Sequence, residues 1–369
     1  MMPVYLRHVE TLVPEHGYTQ EFASERMKFW LAEEKQRRLA SRIYKYSGID
    51  TRYSVLGDFL TGAADPLFKV DAEGKLIEPS TRERNERFAR DARKLSVEVA
   101  RRALAGCPEV SPADVTHVIT TTCTGFFSPG PDFHIMRELG LSGATQRYAL
   151  GFMGCFAALP ALRMAWQFCQ ANPLAVVLVV SIELCSLHLH FAEDTDSLLA
   201  NALFADGAAA AIVSSRQPPL GGAGSCILES FGSALIPSAE REMAWRIGDK
   251  GFEITLSSYV PDIIGANIRP LLESTLAADG LALADVARWA VHPGGKAILD
   301  KVQSELGLSP DLMLASREVL RKYGNMSSAT ILFVIKELLA SEPAAGRICA
   351  IAFGPGLTVE TALLSVVES

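Results

Sequence analysis

The sequence lacks the features that mark several classes of protein. Its seven cysteines include no CxxC pair and mostly lie in apolar runs, which predicts reduced thiols and neither a disulfide framework nor a zinc site. The net charge is −7 with both signs mixed, so no nucleic-acid surface is indicated. The longest strongly apolar run, residues 174–184, is too short to span a bilayer and contains Glu183. No apolar segment of a signal peptide is visible at the N-terminus. We therefore expect a cytoplasmic protein without stable membrane association.

The length and composition favour a large α/β core. The chain has 369 residues, 49% of them hydrophobic, enough for one large domain or two fused halves. Residues 217–224 (QPPLGGAG) are the best candidate for a boundary, which divides the chain into residues 1–220 and 221–369. In each half a glycine opens an apolar helix that a buried strand follows, and this weak internal repeat predicts a duplicated α/β unit.

Cys155 is the first candidate for chemistry. Residues 146–150 read as a strand, and an apolar helix follows from about Cys155, so the sulfur is predicted at or next to the first helical residue. Free N–H groups and the helix dipole at that place favour a thiolate, which is a plausible nucleophile. A small cysteine that packs as a hydrophobe is the alternative. Pro160, a turn into the helix, is expected to bend its axis.

His292 and Asn325 also stand at glycine-flanked ends of predicted elements. His292 follows a short strand in the loop HPGG, and Asn325 follows Gly324 at the start of a helix. Taken alone, the first is as consistent with a structural histidine and the second with a helix cap. Taken together with Cys155 they have a chemical logic. Imidazole can pair with a thiolate, and an imidazole N–H and an amide NH₂ can both donate to an oxyanion. If the halves pack about a pseudo-twofold axis, the helix starts bring Cys155 and Asn325 together.

Five motifs carry a resemblance to a known family. They are GCF around Cys155, ALFADGAAA at residues 202–210, WAVHPGG at 289–295, REVLRKYGNMSSA at 317–329 and AFGPGLTVE at 352–360. In this order and spacing they resemble the type III polyketide synthases, the chalcone and stilbene synthase family with its bacterial members. The resemblance extends from about residue 42 to residue 366.

The resemblance implies a fold, a reaction and its substrates. The fold is a thiolase-like αβαβα arrangement of two similar halves in a homodimer. Cys155 takes the acyl group of a starter acyl-CoA, while His292 and Asn325 bind the malonyl-CoA thioester and stabilise the enolate left by decarboxylation. The carbanion attacks the acyl-Cys155 thioester in repeated Claisen condensations, and the polyketide then cyclises. No metal or redox cofactor is implied, and CoA thioesters serve without a carrier protein.

The same resemblance assigns further positions and shows departures from the plant enzymes. Ile254 stands in place of a gatekeeper phenylalanine, Ser128 in place of a methionine that reaches across the dimer, and Cys123 in place of a threonine. We expect Ile254 and Ser128, which are smaller than the residues they replace, to enlarge the cavity for a long acyl starter and an alkylpyrone or alkylresorcinol product. The implied substrate positions are Phe204, Ile254, Cys123, Ser128, His188, Gly354, Pro355 and Gly356, and the implied CoA positions are Arg42, Lys45, Gly295 and Ala297.

Other interpretations remain open from the sequence. A β-ketoacyl carrier-protein synthase III shares the fold and a Cys-His-Asn set, although HPGG and FGPG argue against it. His188 and His190 share one face if that stretch is extended, which makes a metal site conceivable without an obvious carboxylate or thiol ligand. The basic segment of residues 37–52 is either a solvated face or a contact for an anionic ligand.

Overall fold

The structure is a computed structural model that describes residues 2–58, 65–73, 76–191, 194–218, 225–340 and 346–366. The predicted division between residues 220 and 221 lies outside the described residues. The α-helices are α1 Gln20–Trp30, α2 Glu34–Tyr46, α3 Thr81–Ala105, α4 Pro131–Leu139, α5 Ala158–Ala171, α6 Thr195–Leu203, α7 Val260–Ala277, α8 Lys296–Leu306, α9 Leu314–Tyr323 and α10 Thr330–Ala340. The strands are β1 Tyr5–Leu12, β2 His16–Thr19, β3 Thr51–Ser54, β4 Lys69–Val70, β5 Leu76–Ile77, β6 His117–Thr122, β7 Gln146–Gly151, β8 Val176–Leu184, β9 Asp206–Ser214, β10 Cys226–Leu235, β11 Met243–Gly248, β12 Gly251–Leu256, β13 Val286–Val291, β14 Arg347–Gly354 and β15 Thr358–Val366.

One nine-stranded sheet carries the same pairing pattern twice. Its order is β13-β14-β15-β10-β1-β9-β8-β6-β7. In the first half β6 runs parallel to β8, and β9 lies antiparallel between β8 and β1. In the second half β13 runs parallel to β14, and β15 lies antiparallel between β14 and β10. The predicted duplication is therefore confirmed, and β7 is an additional edge strand of the first half.

The helices form three layers around these strands. α5 and α10 pack with strands of both halves in one central cluster, which explains why each is apolar on nearly every face. α3 covers the outer side of the first half, and α7 with α8 covers the outer side of the second. This is the predicted αβαβα arrangement. No helix among the described residues is long and apolar enough to cross a membrane.

α1 and α2 are separate helices, because Leu31 turns inward with an extended backbone and its carbonyl accepts a hydrogen bond from Arg37 Nε at 2.8 Å. One helix boundary differs from the sequence prediction. α5 begins at Ala158, three residues later than predicted, so Cys155 lies in a turn ahead of it. Pro160 is then the third helical residue, where the backbone N–H has no intrahelical partner, and no bond is lost.

The central layer supplies the first prediction. Leu162 of α5 is fully buried, so Leu162→Ala should lower the free energy of unfolding by about 2–5 kcal/mol. Leu174 follows the same helix and is 71% exposed, so Leu174→Ala should change the free energy of unfolding by less than about 0.5 kcal/mol. Urea titration followed by circular dichroism measures both, and equal midpoints would contradict the buried central layer.

Candidate active site

Cys155, His292 and Asn325 line one cavity, which holds about 870 Å³ of empty space including its open mouth. Cys155 comes from the turn before α5, His292 directly follows β13, and Asn325 lies between α9 and α10. The first residue belongs to one half of the duplicated fold and the other two to the second half. The structure thus brings together the three residues that the sequence singled out.

Glycines let the FGPG loop pack against the Cys155 turn. Gly154 has φ +86°, and a Cβ built on it would lie 2.4 Å from Cδ of Pro355. A Cβ on Gly354 would lie 2.5 Å from the Phe156 ring and 3.4 Å from the backbone N of Cys155. Gly154 needs glycine for both its left-handed backbone and its close contact, and Gly354 needs it for the close contact alone. The packing of the FGPG loop therefore fixes the position of the turn that presents the Cys155 sulfur to the cavity.

Hydrogen bonds orient Asn325 through both its backbone and its side chain. Its N–H donates to Leu203 O at 2.9 Å, and its carbonyl accepts from Ala205 N at 2.8 Å. Its side-chain oxygen accepts from Ser327 N at 2.9 Å, while Nδ2 lies 3.4 Å from Gly294 O. With the oxygen engaged by the backbone, the NH₂ group is the part of the amide that can donate into the cavity.

His292 is buried, and it lines the same cavity as Asn325. A Cβ built on Gly294 would lie 3.9 Å from Nε2 of His292, so the ring and the Asn325 amide flank one glycine. Neither ring nitrogen has a hydrogen-bond partner among the residues that the structure describes. Burial lowers the pKa of His292 to about 3, so the imidazole is neutral and offers one donor and one acceptor.

The charge state of Cys155 differs from the sequence expectation. Cys155 is accessible through the cavity, but protein atoms surround it. Burial raises the pKa of the thiol to about 11, and hydrogen bonds to Ser327 and Asn325 only partly oppose this effect. The helix dipole does not dominate because α5 starts at Ala158 and the field falls off within a turn. A thiolate–imidazolium pair forms here only when its internal attraction exceeds both burial costs.

A buried carboxyl group lies behind the nucleophile and was not recognised from the sequence. Glu183 is fully buried in β8 and accepts hydrogen bonds from Thr124 Oγ1 at 2.9 Å, from Cys123 N at 3.0 Å and from Ser328 Oγ. Burial raises the pKa of this carboxyl group. The Cys123 sulfur lies 3.4 Å from Glu183 and 3.3 Å from Ser327 Oγ. The Glu183 network thus reaches the hydroxyl that bonds Cys155. An acidic residue inside a buried strand was the available sign of this network.

Aromatic side chains adjoin this network along the cavity wall. His188 stacks on Phe252 with ring centroids 4.2 Å apart, accepts from Phe252 N at Nδ1 (2.9 Å) and donates to Thr124 O from Nε2 (2.8 Å). Trp245 donates from its indole N–H to Cys123 O at 2.7 Å. His190 bonds Phe252 O through Nε2 at 2.9 Å. Both histidines therefore anchor the β11–β12 hairpin, and no group of three metal-ligating side chains occurs among the described residues.

The other predicted positions divide into three groups. Phe204, Ile254, Cys123, His188 and Pro355 line the cavity, and Gly354 and Gly356 belong to the loop that carries Pro355. Gly295 and Ala297 lie at the start of α8, while Arg42 and Lys45 are exposed on α2. Ser128 is exposed and does not line the cavity of its own chain, so its predicted place at the partner's cavity stays a prediction.

The contact between Gly154 and the FGPG loop can be tested directly. Gly154→Ala should destabilise the protein by about 1–3 kcal/mol and reduce product formation, because the new methyl group displaces Pro355 from the cavity wall. Gly143→Ala is the matched control, since a Cβ there meets nothing within 4 Å. Thermal unfolding and product formation measure the two effects. Wild-type behaviour of Gly154→Ala would show that the loop does not need this close approach.

Comparisons with known proteins agree along nearly the whole chain. Residues 7–217 match the N-terminal domain of chalcone and stilbene synthases, and residues 228–368 match the C-terminal domain. An alpha-pyrone synthesis polyketide synthase-like protein, Pks18 of Mycobacterium tuberculosis, is 35% identical, with 97% of this chain and 90% of the relative covered.

Two solved structures show the same fold. PKS-I from the brown alga Ectocarpus siliculosus superposes with a TM-score of 0.91 at 29% identity, covering 100% of this chain and 99% of that one. The 1,3,6,8-tetrahydroxynaphthalene synthase of Streptomyces coelicolor A3(2), a bacterial type III polyketide synthase, gives 0.87 at 31% identity and 99% coverage of both. These findings do not support the β-ketoacyl carrier-protein synthase III alternative. The chain therefore belongs to the chalcone and stilbene synthase family and is a type III polyketide synthase.

Proposed function

We propose that this enzyme extends a long acyl-CoA starter with malonyl-CoA units and releases an alkylpyrone or alkylresorcinol. The observation that carries the proposal is a largely apolar cavity with Cys155, His292 and Asn325 along its wall. Each methylene of a starter buried there contributes about 0.8 kcal/mol to binding. The relative from Mycobacterium tuberculosis, whose name refers to alpha-pyrone synthesis, supports this class of product.

In the loading step, Cys155 attacks the carbonyl carbon of the starter thioester. The His292 imidazole takes the thiol proton. Because its pKa is low, the ring is neutral and one of its nitrogens is free to accept this proton. The tetrahedral intermediate collapses, CoA leaves as a thiolate and accepts the proton from the imidazolium, and the starter stays on the sulfur as a thioester. His292 is neutral again at the end of this step.

In the extension step, the same imidazole and the Asn325 amide donate to the thioester oxygen of malonyl-CoA. Loss of CO₂ leaves an enolate whose negative charge rests on that oxygen, where two donors in a buried site stabilise it. The enolate carbon attacks the acyl carbon on Cys155, and the thiolate leaves. The lengthened chain is now a CoA thioester and can reload the sulfur.

The segments implied for CoA binding lie near Gly294 and Ile298, which line the cavity. Exposed Arg42 and Lys45 on α2 are available to the CoA phosphates. The end of α2 packs on the start of α8, since a Cβ on Gly48 would lie 3.4 Å from Cβ of Lys296. Gly295 and Ala297 flank Lys296, so both implied CoA segments lie side by side. We infer that CoA thioesters are substrates and that no further cofactor is required.

We also propose a homodimer. β7 is one of the two edge strands of the sheet. Four of its six residues are exposed, and one side of its backbone has no partner strand among the described residues. An uncovered edge strand is prone to pairing with another chain. Phe126, in the loop that carries Ser128, is 42% exposed beside this edge and adds apolar surface to it.

Cavity size depends on a residue pair that the sequence did not reveal. Ile254 of β12 lies directly opposite Trp245 of β11, and both side chains line the cavity. The indole is fixed by its bond to Cys123 O, so it takes up part of the room that the smaller residue at 254 leaves. We infer that Ile254 opens a path beside the tryptophan and that Trp245 limits its width.

Replacement of the nucleophile gives the most direct test of the mechanism. Cys155→Ala should form no starter adduct and no condensation product, yet should still decarboxylate malonyl-CoA because His292 and Asn325 remain. Intact-protein mass spectrometry and CO₂ release measure the two reactions. Cys185→Ala, which removes another cavity thiol, should keep the adduct. A starter adduct on the Cys155→Ala protein would remove Cys155 from the mechanism.

The proposed starter class is tested by chain length. We expect kcat/KM to rise from acetyl- through hexanoyl- to lauroyl- and palmitoyl-CoA, and Ile254→Phe to reduce it at least about tenfold for the long chains alone. Ile247→Phe is the matched control, because Ile247 belongs to the same hairpin and is 61% exposed. Products are identified by mass spectrometry. A preference of the wild type for acetyl- or benzoyl-CoA, or an equal loss for all starters, would contradict the proposal.

A further inference from the structure

The C-terminal end of α6 is held by donors from distant parts of the chain. The last bond within this helix runs from Phe204 N to Ala200 O, so the next carbonyls need other partners. Leu203 O accepts from the backbone N–H of Asn325 at 2.9 Å. The carbonyls of Asn201 and Phe204 both accept from Arg52 Nη1 at 2.7 Å. One arginine and the active-site asparagine therefore share the end of one helix.

Arg52 is held in place by its own neighbours. Its Nε donates to Gln20 Oε1 at 2.9 Å, and Gln20 Nε2 in turn donates to Ala202 O at 2.7 Å. Its guanidinium lies 5.6 Å from the ring centroid of Tyr44, whose hydroxyl donates to Asn201 O at 3.1 Å. We call Gln20, Tyr44 and Arg52 the α6 cap. Its positive charge lies at the negative end of the helix dipole, which is the favourable sign.

The α6 cap also touches the segment that leads into Asn325. A Cβ built on Gly324 would lie 2.8 Å from Cγ of Arg52 and 3.0 Å from Leu203 O. The residue before Asn325 is therefore packed between the arginine stem and the helix end. Any shift of Arg52 is transmitted to Asn325 through Gly324 on one side and through the Leu203 carbonyl on the other.

We propose that Arg52 is a positioning residue for this enzyme and that it sets the place of the Asn325 amide from outside the cavity. This inference rests on the proposed function, because it takes Asn325 as a donor to the malonyl thioester. Asn325 donates directly to the reacting oxygen in decarboxylation, whereas loading of the starter uses Cys155 and His292 and involves Asn325 only through its hydrogen bond to the sulfur. Loss of Arg52 must therefore damage decarboxylation more than it damages loading, whereas general destabilisation damages both alike.

The test separates the two partial reactions in the full-length protein. We compare wild type, Arg52→Met and Arg52→Lys for acylation of Cys155 by lauroyl-CoA, read by intact mass, and for release of CO₂ from malonyl-CoA. Arg52→Met should lose about 10- to 100-fold in decarboxylation and at most about twofold in loading. Arg52→Lys should lose less, because an ammonium group reaches one of the two carbonyls.

Arg7→Met is the matched control. Arg7 is buried and also donates to a backbone carbonyl, that of Arg216, at 2.7 Å. Arg7 lies on β1 beside the C-terminal end of β9. The cavity lies at the opposite, N-terminal end of β9. This variant should lower the melting temperature yet leave the ratio of decarboxylation to loading unchanged.

Each outcome decides between the alternatives. A parallel loss of both reactions in the Arg52 variants, or no loss of decarboxylation, would overturn the positioning role. If Arg52→Met does not fold, Arg52→Lys alone decides by the same ratio. A wild-type enzyme that neither loads lauroyl-CoA nor decarboxylates malonyl-CoA would instead contradict the proposed function.

Discussion

The active site depends on a pair of backbone hydrogen bonds that join the two halves of the fold. The backbone of Asn325 donates to Leu203 O at 2.9 Å and accepts from Ala205 N at 2.8 Å, which makes Asn325 and Phe204 an isolated parallel bridge. Leu203 ends α6 and Ala205 leads into β9 of the first half, while Asn325 leads into α10 of the second. Because main-chain bonds fix direction as well as distance, the amide of Asn325 is aimed into a cavity whose nucleophile comes from the other half.

Burial sets the chemistry of this cavity. It lowers the pKa of the His292 imidazole and raises the pKa values of the Cys155 thiol and the Glu183 carboxyl group, since a charge in low dielectric is costly. The same burial makes each donor more effective toward an enolate oxygen than it is in water. A site that resists charge at rest is therefore suited to stabilise the one negative charge that decarboxylation creates. The free-energy cost of removing the thiol proton is offset when the sulfur can attack the carbonyl carbon of a bound starter.

Much of the fold and site was predictable because it depends on local pattern. The apolar helices and strands predicted the duplicated core. The positions of Cys155, His292 and Asn325 next to glycines at the ends of predicted elements indicated the site. The start of α5 was misplaced because the turn after Gly154 depends on contact with Pro355, about 200 positions along the chain.

The features that the sequence did not predict depend on contacts between distant segments, which leave no periodic pattern in the sequence. Arg52 seemed to belong to an exposed basic segment, yet it is partly buried against the end of α6. Trp245 was missed because β11 and β12 form a separate short hairpin, most of whose residues are partly buried or exposed and give no strand pattern. Glu183 was visible only as an interruption of an apolar run, because its partners Cys123, Thr124 and Ser328 come from other segments.

In the proposed mechanism, hydrogen-bond donors of one half hold the substrate against the nucleophile of the other half. A crystal structure of the Cys155→Ala protein with malonyl-CoA would show this arrangement. We expect the thioester oxygen to lie about 2.7–3.1 Å from both Nε2 of His292 and Nδ2 of Asn325, with the malonyl carbon facing residue 155. A thioester oxygen bound away from both nitrogens, or a malonyl carbon facing away from residue 155, would contradict it.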